Sequence, residues 1–222
     1  MTASIDRAGG CVFLVDDDVR TLRALTRLLG AFGYAAEGYR DPRAFLAAHD
    51  PEQPGCLVLD LLMPGLTGLE LQRALSTCRP LRPLIFLSGR GDVPSSVRAM
   101  KAGAIDFLTK PVGEKPLLEA VSRAIDWDRQ NRQHHALCLS FRARLGRLTP
   151  REREVFELVL FGRLNKQIAA ELGTVEKTVK VHRSRMMAKM EVRSVAELVH
   201  LAERTAQLPH AAAFLLPPTS ES

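Results

Sequence analysis

The order of apolar and polar positions divides the chain into two regimes. In the first half, short apolar runs alternate with amphipathic stretches. Cys11–Val15, Cys56–Leu59, Leu84–Leu87 and Ile105–Leu108 read as strands, with a weaker one at Tyr34–Tyr39. After the first run, Leu22, Leu25, Leu28, Leu29 and Phe32 recur at spacings of three and four, the period of a helix with one apolar face. Runs that are apolar on both faces and separated by helices predict a parallel sheet covered on both sides. Five such units predict an α/β fold, a (βα)5 doubly wound parallel sheet of flavodoxin-like type, with ligands at the carboxyl ends of the strands.

From about Asp126 to Arg147 the pattern turns polar and the strand signals stop. Leu137, Phe141 and Leu145 recur at every fourth position, which predicts a linking helix with one apolar edge. The remainder is predicted to be all-α, with four helices. Thr149-Pro150-Arg151-Glu152 is a capping box with proline at the first helical position. Asn165 is the expected cap of a second helix, which Gly173 closes. A third runs from about Val175 to Met190, and the capping box Ser194–Glu197 opens a fourth. From Leu208 the amphipathic period is lost among Pro209, Pro217 and Pro218, and a disordered tail is expected. The predicted organisation is a sheet domain over 1–125, a helical linker over 126–146, a helix-turn-helix domain over 147–207 and a tail over 208–222.

A length of 222 residues is enough for two modest domains, and an apolar fraction of 46% with 25% charged is that of an ordinary globular protein. No apolar run approaches the roughly 18 residues a membrane span needs, and a secretory pattern is missing, so a cytoplasmic protein with no membrane partner is expected. Cys11, Cys56, Cys78 and Cys138 are scattered, which favours reduced thiols over a zinc site or disulfides. The net charge of +6 is uneven: residues 1–125 carry 15 Lys/Arg against 14 Asp/Glu, and residues 126–222 carry 16 against 11. The second half is therefore where a polyanionic partner is expected.

Asp16, Asp17 and Asp18 follow the first strand, Asp60 ends the third, Ser88 the fourth and Lys110 the fifth. A parallel sheet brings these ends into one crevice, where the carboxylates repel unless a cation neutralises them. Oxygen-only ligands favour a hard divalent ion such as Mg2+. A metal, a carboxylate nucleophile, an ammonium and a hydroxyl are the parts that phosphoryl transfer onto an aspartate needs. Asp18 is open between metal support and charge at a helix N-terminus. In the second half, Thr174–Met190 carries Lys177, Lys180, Arg183, Arg185 and Lys189 against a lone acid, Glu176. Val179, Met186 and Met190 are spaced to pack on the helix Lys166–Leu172 and leave the basic side free. Such a helix fits the major groove of DNA, the alternatives being a partner protein or a membrane surface. Trp127 is expected to pack the linker on the sheet domain, and His134 and His135 to be solvated.

The stretches LVDDD (Leu14–Asp18), LDLLMPGLTGLEL (Leu59–Leu71), FLSGRGDV (Phe86–Val93) and AMKAGAIDFLTKP (Ala99–Pro111) resemble the receiver domain of response regulators. The resemblance implies that Asp60 is the phosphoacceptor and that Asp16, Asp17, Asp60 and the backbone oxygen of Leu62 bind Mg2+. It also implies that Ser88 and Lys110 contact the phosphoryl group, that Phe107 is an aromatic switch, and that the bond before Pro111 is cis. Leu62 departs from the basic or polar residue of many relatives. LTPREREVFELV (Leu148–Val159), NKQIAAELG (Asn165–Gly173) and KTVKVHRSRMMAKM (Lys177–Met190) resemble the LuxR-type DNA-binding domain. Together the two halves resemble the FixJ/NarL class, nearest the FixJ branch. By that resemblance Lys180, Val181 and Ser184 face bases, and Lys177, Thr178 and His182 lie near the DNA backbone. Arg185 joins the DNA-binding set. Val175 stands where relatives often have a capping serine, which leaves either Thr174 as the substitute cap or a frayed helix start.

The expected activity is that of a phosphorylation-controlled transcription regulator, which catalyses nothing beyond its own phosphotransfer and slow dephosphorylation. Its implied partners are a sensor histidine kinase, promoter DNA, RNA polymerase and, when phosphorylated, a second copy of itself, with activation of transcription as the output. A phosphohydrolase with an aspartate nucleophile is the rival enzyme reading, but the second acid it needs two residues later is here Leu62. A ligand-gated regulator is the other rival, and it has no need of the acidic crevice.

Overall fold

The computed structural model describes residues 10–77, 80–89 and 93–206, so Cys78 and the expected tail lie outside the described residues. The chain divides into two compact units between Gln133 and His134. In the first unit, strands β1 (Cys11–Val15), β2 (Ala35–Tyr39), β3 (Gly55–Asp60), β4 (Leu84–Ser88) and β5 (Asp106–Thr109) form one parallel sheet in the order β2-β1-β3-β4-β5. Helices α1 (Val19–Ala31), α2 (Pro42–Ala48), α3 (Gly68–Leu75), α4 (Val93–Lys101) and α5 (Glu114–Gly146) alternate with the strands. Successive strand residues point to opposite faces, and both faces are covered. Val12, Leu14, Val58, Ile85 and Leu87 pack with Leu25 and Leu29 of α1 and Leu117 and Val121 of α5. Phe13, Val15, Leu57, Leu59 and Phe86 pack with Phe45 of α2, Leu71 and Leu75 of α3 and Ala99 of α4.

The loop before β3 hangs on two arginines. The Arg132 guanidinium in α5 donates to Asp128 Oδ2 at 2.8 Å and to the carbonyls of Pro51, Glu52 and Gln53 at 2.8, 2.9 and 2.8 Å. Arg82 Nη2 donates to the carbonyls of Asp50 and Gln53, and its guanidinium lies over the Phe13 ring. Asp128 also accepts from Gly55 N at 2.8 Å. A buried carboxylate shared in this way satisfies backbone and cation together. Trp127 nearby is 37% exposed, so it packs only in part.

The second unit is all-α. Helices α6 (Pro150–Leu160), α7 (Asn165–Glu171), α8 (Glu176–Met190) and α9 (Val195–Ala206) enclose Val155, Phe156, Val159, Ile168, Val179, Met186, Met190 and Leu198. Helix α5 runs unbroken through the segment read as a linker, and its last turns belong to this core: Phe141 is buried against Phe156, with Leu145 packed beside it. His134, expected in solvent, is half-buried with Nε2 2.7 Å from the Arg204 carbonyl of α9.

The helix starts of this unit differ in how they are capped. Thr149 caps α6 with the full capping box. Asn165 does not cap α7: the cap residue is Leu164, whose N–H donates to Gln167 Oε1, while Asn165 Oδ1 accepts from Arg183 Nη1 at 2.7 Å. Neither Thr174 nor any other side chain caps α8, because the N-cap is Val175. Gly173 closes α7 at φ 61°, a left-handed turn that suits glycine.

Candidate functional site

Register decides what meets at the carboxyl edge of the sheet. Val15 is level with Leu59, Asp60 with Leu87, and Ser88 with Thr109, so Asp16, Asp60, Ser88 and Lys110 emerge side by side. Asp16, Asp60 and Ser88 are buried and Lys110 half-buried, whereas Asp17 is exposed. Lys110 Nζ lies 2.6 Å from Asp16 Oδ2 and 3.1 Å from Asp60 Oδ2. One carboxylate oxygen from each of Asp16, Asp17 and Asp60 falls within a 4.8 Å cluster. Asp16 accepts from Asp18 N, and Leu62 N points at Asp60 Oδ1 at a long 3.4 Å. Lys110 N donates to the Ser88 carbonyl, which locks the β4 and β5 ends together, and the Lys110–Pro111 bond is cis.

Electrostatics follow from this crowding. Burial pushes the Asp16 carboxyl above its usual range, with the Lys110 hydrogen bond pulling it part of the way back. Burial pulls the Lys110 ammonium down, but its bonds to Asp16 and Asp60 outweigh that and hold it above the ordinary lysine value. Asp18 caps α1 by accepting from Arg20 N and Thr21 Oγ1, which holds its carboxyl low and accounts for its side chain as a cap. Three clustered carboxylates are a hard-oxygen set that fits a divalent cation.

The surroundings of the crevice are tight on one side and open on the other. A Cβ built on Gly68 would lie 2.5 Å from the Asp60 carbonyl and 2.9 Å from the Phe86 ring, so only glycine lets α3 begin there. The Leu62 side chain is 58% exposed at the mouth. Phe107 is half-buried on the same sheet face as Phe86, with ring centroids 6.2 Å apart.

In the second unit, Val179, Met186 and Met190 face the core as expected. Lys177, Lys180, Val181, Ser184 and Arg185 share the opposite, exposed face, while Thr178 and His182 are half-buried at its margin. The basic side is not wholly free, however. Arg183 is engaged by Asn165, and Lys189 Nζ donates at 2.5 Å to Glu152 Oε2, a carboxylate only 3% exposed. Lys180 Nζ lies 3.2 Å from Glu176 Oε1. The Glu152 link was hidden in sequence: the capping box marks Glu152 as a helix-start acceptor, and nothing in the pattern marks its second partner 37 positions away.

Comparison with known proteins agrees with this architecture. The response regulator receiver domain family matches residues 12–122, and the luxR family of bacterial regulatory proteins matches 146–202. Nodulation protein W of Bradyrhizobium diazoefficiens is 42% identical over 192 residues, covering 86% of this chain and 85% of that protein. Response regulator protein TodT of Pseudomonas putida is 41% identical over 199 residues, 90% and 87% of the two chains. The solved response regulator StyR superposes with a TM-score of 0.77 at 44% identity, over 88% of this chain and 99% of that one. Full-length FixJ from B. japonicum gives a TM-score of 0.55 at 37% identity, over 90% and 98%. No helix among the described residues is long and apolar enough to cross a membrane. With these relatives, the chain belongs to the response regulators of the FixJ/NarL class, in which a receiver domain precedes a LuxR-type DNA-binding domain.

Proposed function

We propose that Asp60 accepts a phosphoryl group from the histidine of a sensor kinase, and that this modification controls binding of promoter DNA by α8. The observation that carries the reading is the Asp60 carboxylate, buried at the end of the central strand with Lys110 Nζ at 3.1 Å and the Asp16 and Asp17 carboxylates beside it. Asp16, Asp17, Asp60 and the backbone oxygen of Leu62 would hold Mg2+. Bound there, the ion supplies charge neutralisation for the phosphoryl oxygens. An Asp60 oxygen attacks phosphorus in line, and the P–N bond to the donor imidazole breaks with its electron pair returning to the ring. The Lys110 ammonium and the Ser88 hydroxyl hold the oxygens of the transferred group.

The product adds about −1.5 to −2 charges beside Ser88 and Lys110. Ser88 and Phe107 move inward in response, and the altered surface of α4, β5 and α5 pairs two receivers. Moving such an equilibrium from 1:99 to 99:1 takes roughly 5.5 kcal/mol of differential stabilisation, shared between phosphate contacts and pairing. Paired DNA-binding domains occupy two half-sites, each at the high effective concentration set by the other. Lys180, Val181 and Ser184 face bases, and Lys177, Thr178, His182 and Arg185 contact the backbone or its margin. The proposed organisation is a receiver over 1–125, a helical linker over 126–146 and a DNA-binding domain over 147–207. The proposed setting is the cytoplasm, with activation through RNA polymerase as the output.

The test is phosphorylation by a labelled acyl phosphate in Mg2+. Wild-type chain takes up label and shifts to a dimer on size exclusion, and Asp60→Asn does neither while keeping its circular dichroism. Label retained by Asp60→Asn refutes the assignment.

A further inference from the structure

Helix α8 carries five cations, and their surroundings sort them. Arg183 and Lys189 are held inside the unit by Asn165 and Glu152. Lys177, Lys180 and Arg185 lie on the exposed face with Val181 and Ser184. Glu176 stands one turn before Lys180 on that face, and the two side chains are paired at 3.2 Å while 47% and 63% exposed. An exposed pair at this spacing adds little to stability. Against a phosphate backbone its carboxylate is repelled, and it also withholds Lys180 from phosphates. Toward the phosphates themselves, Glu176 adds no attraction.

The major groove offers a use for it. A G·C pair presents the guanine O6 and N7 acceptors beside the cytosine N4 amino donor. A lysine ammonium donates to the first and a carboxylate accepts from the second, and here the two are held together on one exposed helix face. We infer that Glu176 and Lys180 act as a unit that reads one G·C pair in each half-site, with Glu176 accepting from the cytosine amino group. On other sequences the uncompensated desolvation and repulsion of the carboxylate weaken binding, so Glu176 determines specificity. This rests on the proposed entry of α8 into the major groove. Glu176 also sits in the first turn of a helix whose cap, Val175, offers no side-chain acceptor, and a negative charge is favourable there. That structural role alone predicts no change in base preference.

The experiment uses the full-length chain, phosphorylated with acetyl phosphate in Mg2+, to select sites from a random-sequence duplex library. Wild type, Glu176→Ala and Glu176→Gln are compared, with melting temperatures measured alongside. The expected result is a wild-type motif with a required G·C position that relaxes about tenfold in preference in Glu176→Ala. Binding of both variants to an A·T-only duplex strengthens by about fivefold, as expected for removal of one like charge near phosphate. An unchanged motif in Glu176→Ala, or relaxation confined to an A·T position, overturns the inference while leaving DNA binding by α8 intact. A wild-type chain that selects no motif defeats both readings.

Discussion

Replacing Glu152 with glutamine tests how α8 is held. The Glu152 carboxylate closes the capping box of α6, accepting from Thr149 N at 2.9 Å, and also receives Lys189 of α8 at 2.5 Å. In Glu152→Gln the amide keeps the shape and one acceptor, so the cap survives, but the Lys189 ammonium loses the negative charge it is paired with. That loss is worth about 1.5–3 kcal/mol. For a domain of this size it corresponds to a fall in melting temperature of roughly 6–24 °C. Lys189→Met is expected to cost more, roughly 3–5 kcal/mol, because it strands a buried carboxylate, and the double variant recovers part of that. Hydrogen exchange on the full-length chain reads the outcome: peptides of α6 and α8 lose protection, and receiver peptides serve as the internal control. The Lys189 hydrogen bond holds the Glu152 carboxyl below its usual range, against the upward push of burial, with Thr149 adding to the depression. A depressed carboxyl stabilises the fold above its unfolded value, about 4.3, and loses that contribution as pH falls through the folded value. The gap between wild type and Glu152→Gln is therefore constant from about pH 5 to 7 and closes on acidification. A coupling energy below about 0.5 kcal/mol in the double-variant cycle refutes the reasoning.

Two further substitutions probe the two units separately. Gly68→Ala forces a Cβ to 2.5 Å from the Asp60 carbonyl, which must displace α3 or the end of β3, so phosphate uptake from acetyl phosphate slows while DNA-domain melting is unchanged. Uptake at the wild-type rate refutes it. Phe141→Ala empties a buried aromatic site between α5 and α6 at about 3–5 kcal/mol. It is expected to abolish operator binding and spare receiver phosphorylation, and a receiver that also fails to take up phosphate overturns the placement of Phe141 in the second core.

Strand ends, and with them the crevice, were legible because buried parallel strands are continuous apolar runs and their polar terminal residues stand out. β2 read weakly for the opposite reason: it is an edge strand, and Ala35, Glu37 and Gly38 are exposed. Local signals identified the caps that use local side chains, at Thr149 and Ser194, where Glu197 N donates to Ser194 Oγ. They misplaced Asn165, because its side chain is committed to Arg183, eighteen positions on, and one-dimensional patterns carry no such partner. For the same reason, counting five cations on α8 overstated the charge left free at its surface. A residue's formal charge is read from sequence, but whether it faces outward depends on packing.

At the amino end of the sheet, the fastening by Arg132 is indifferent to the identity of the residues it fastens. Its fork grips only main-chain oxygens at positions 51 to 53, so those side chains are at liberty to drift. Position 132 has no such liberty. A lysine there brings a point charge that cannot span Asp128 and three carbonyls together, and the orphaned oxygens must find water or let the loop lift away.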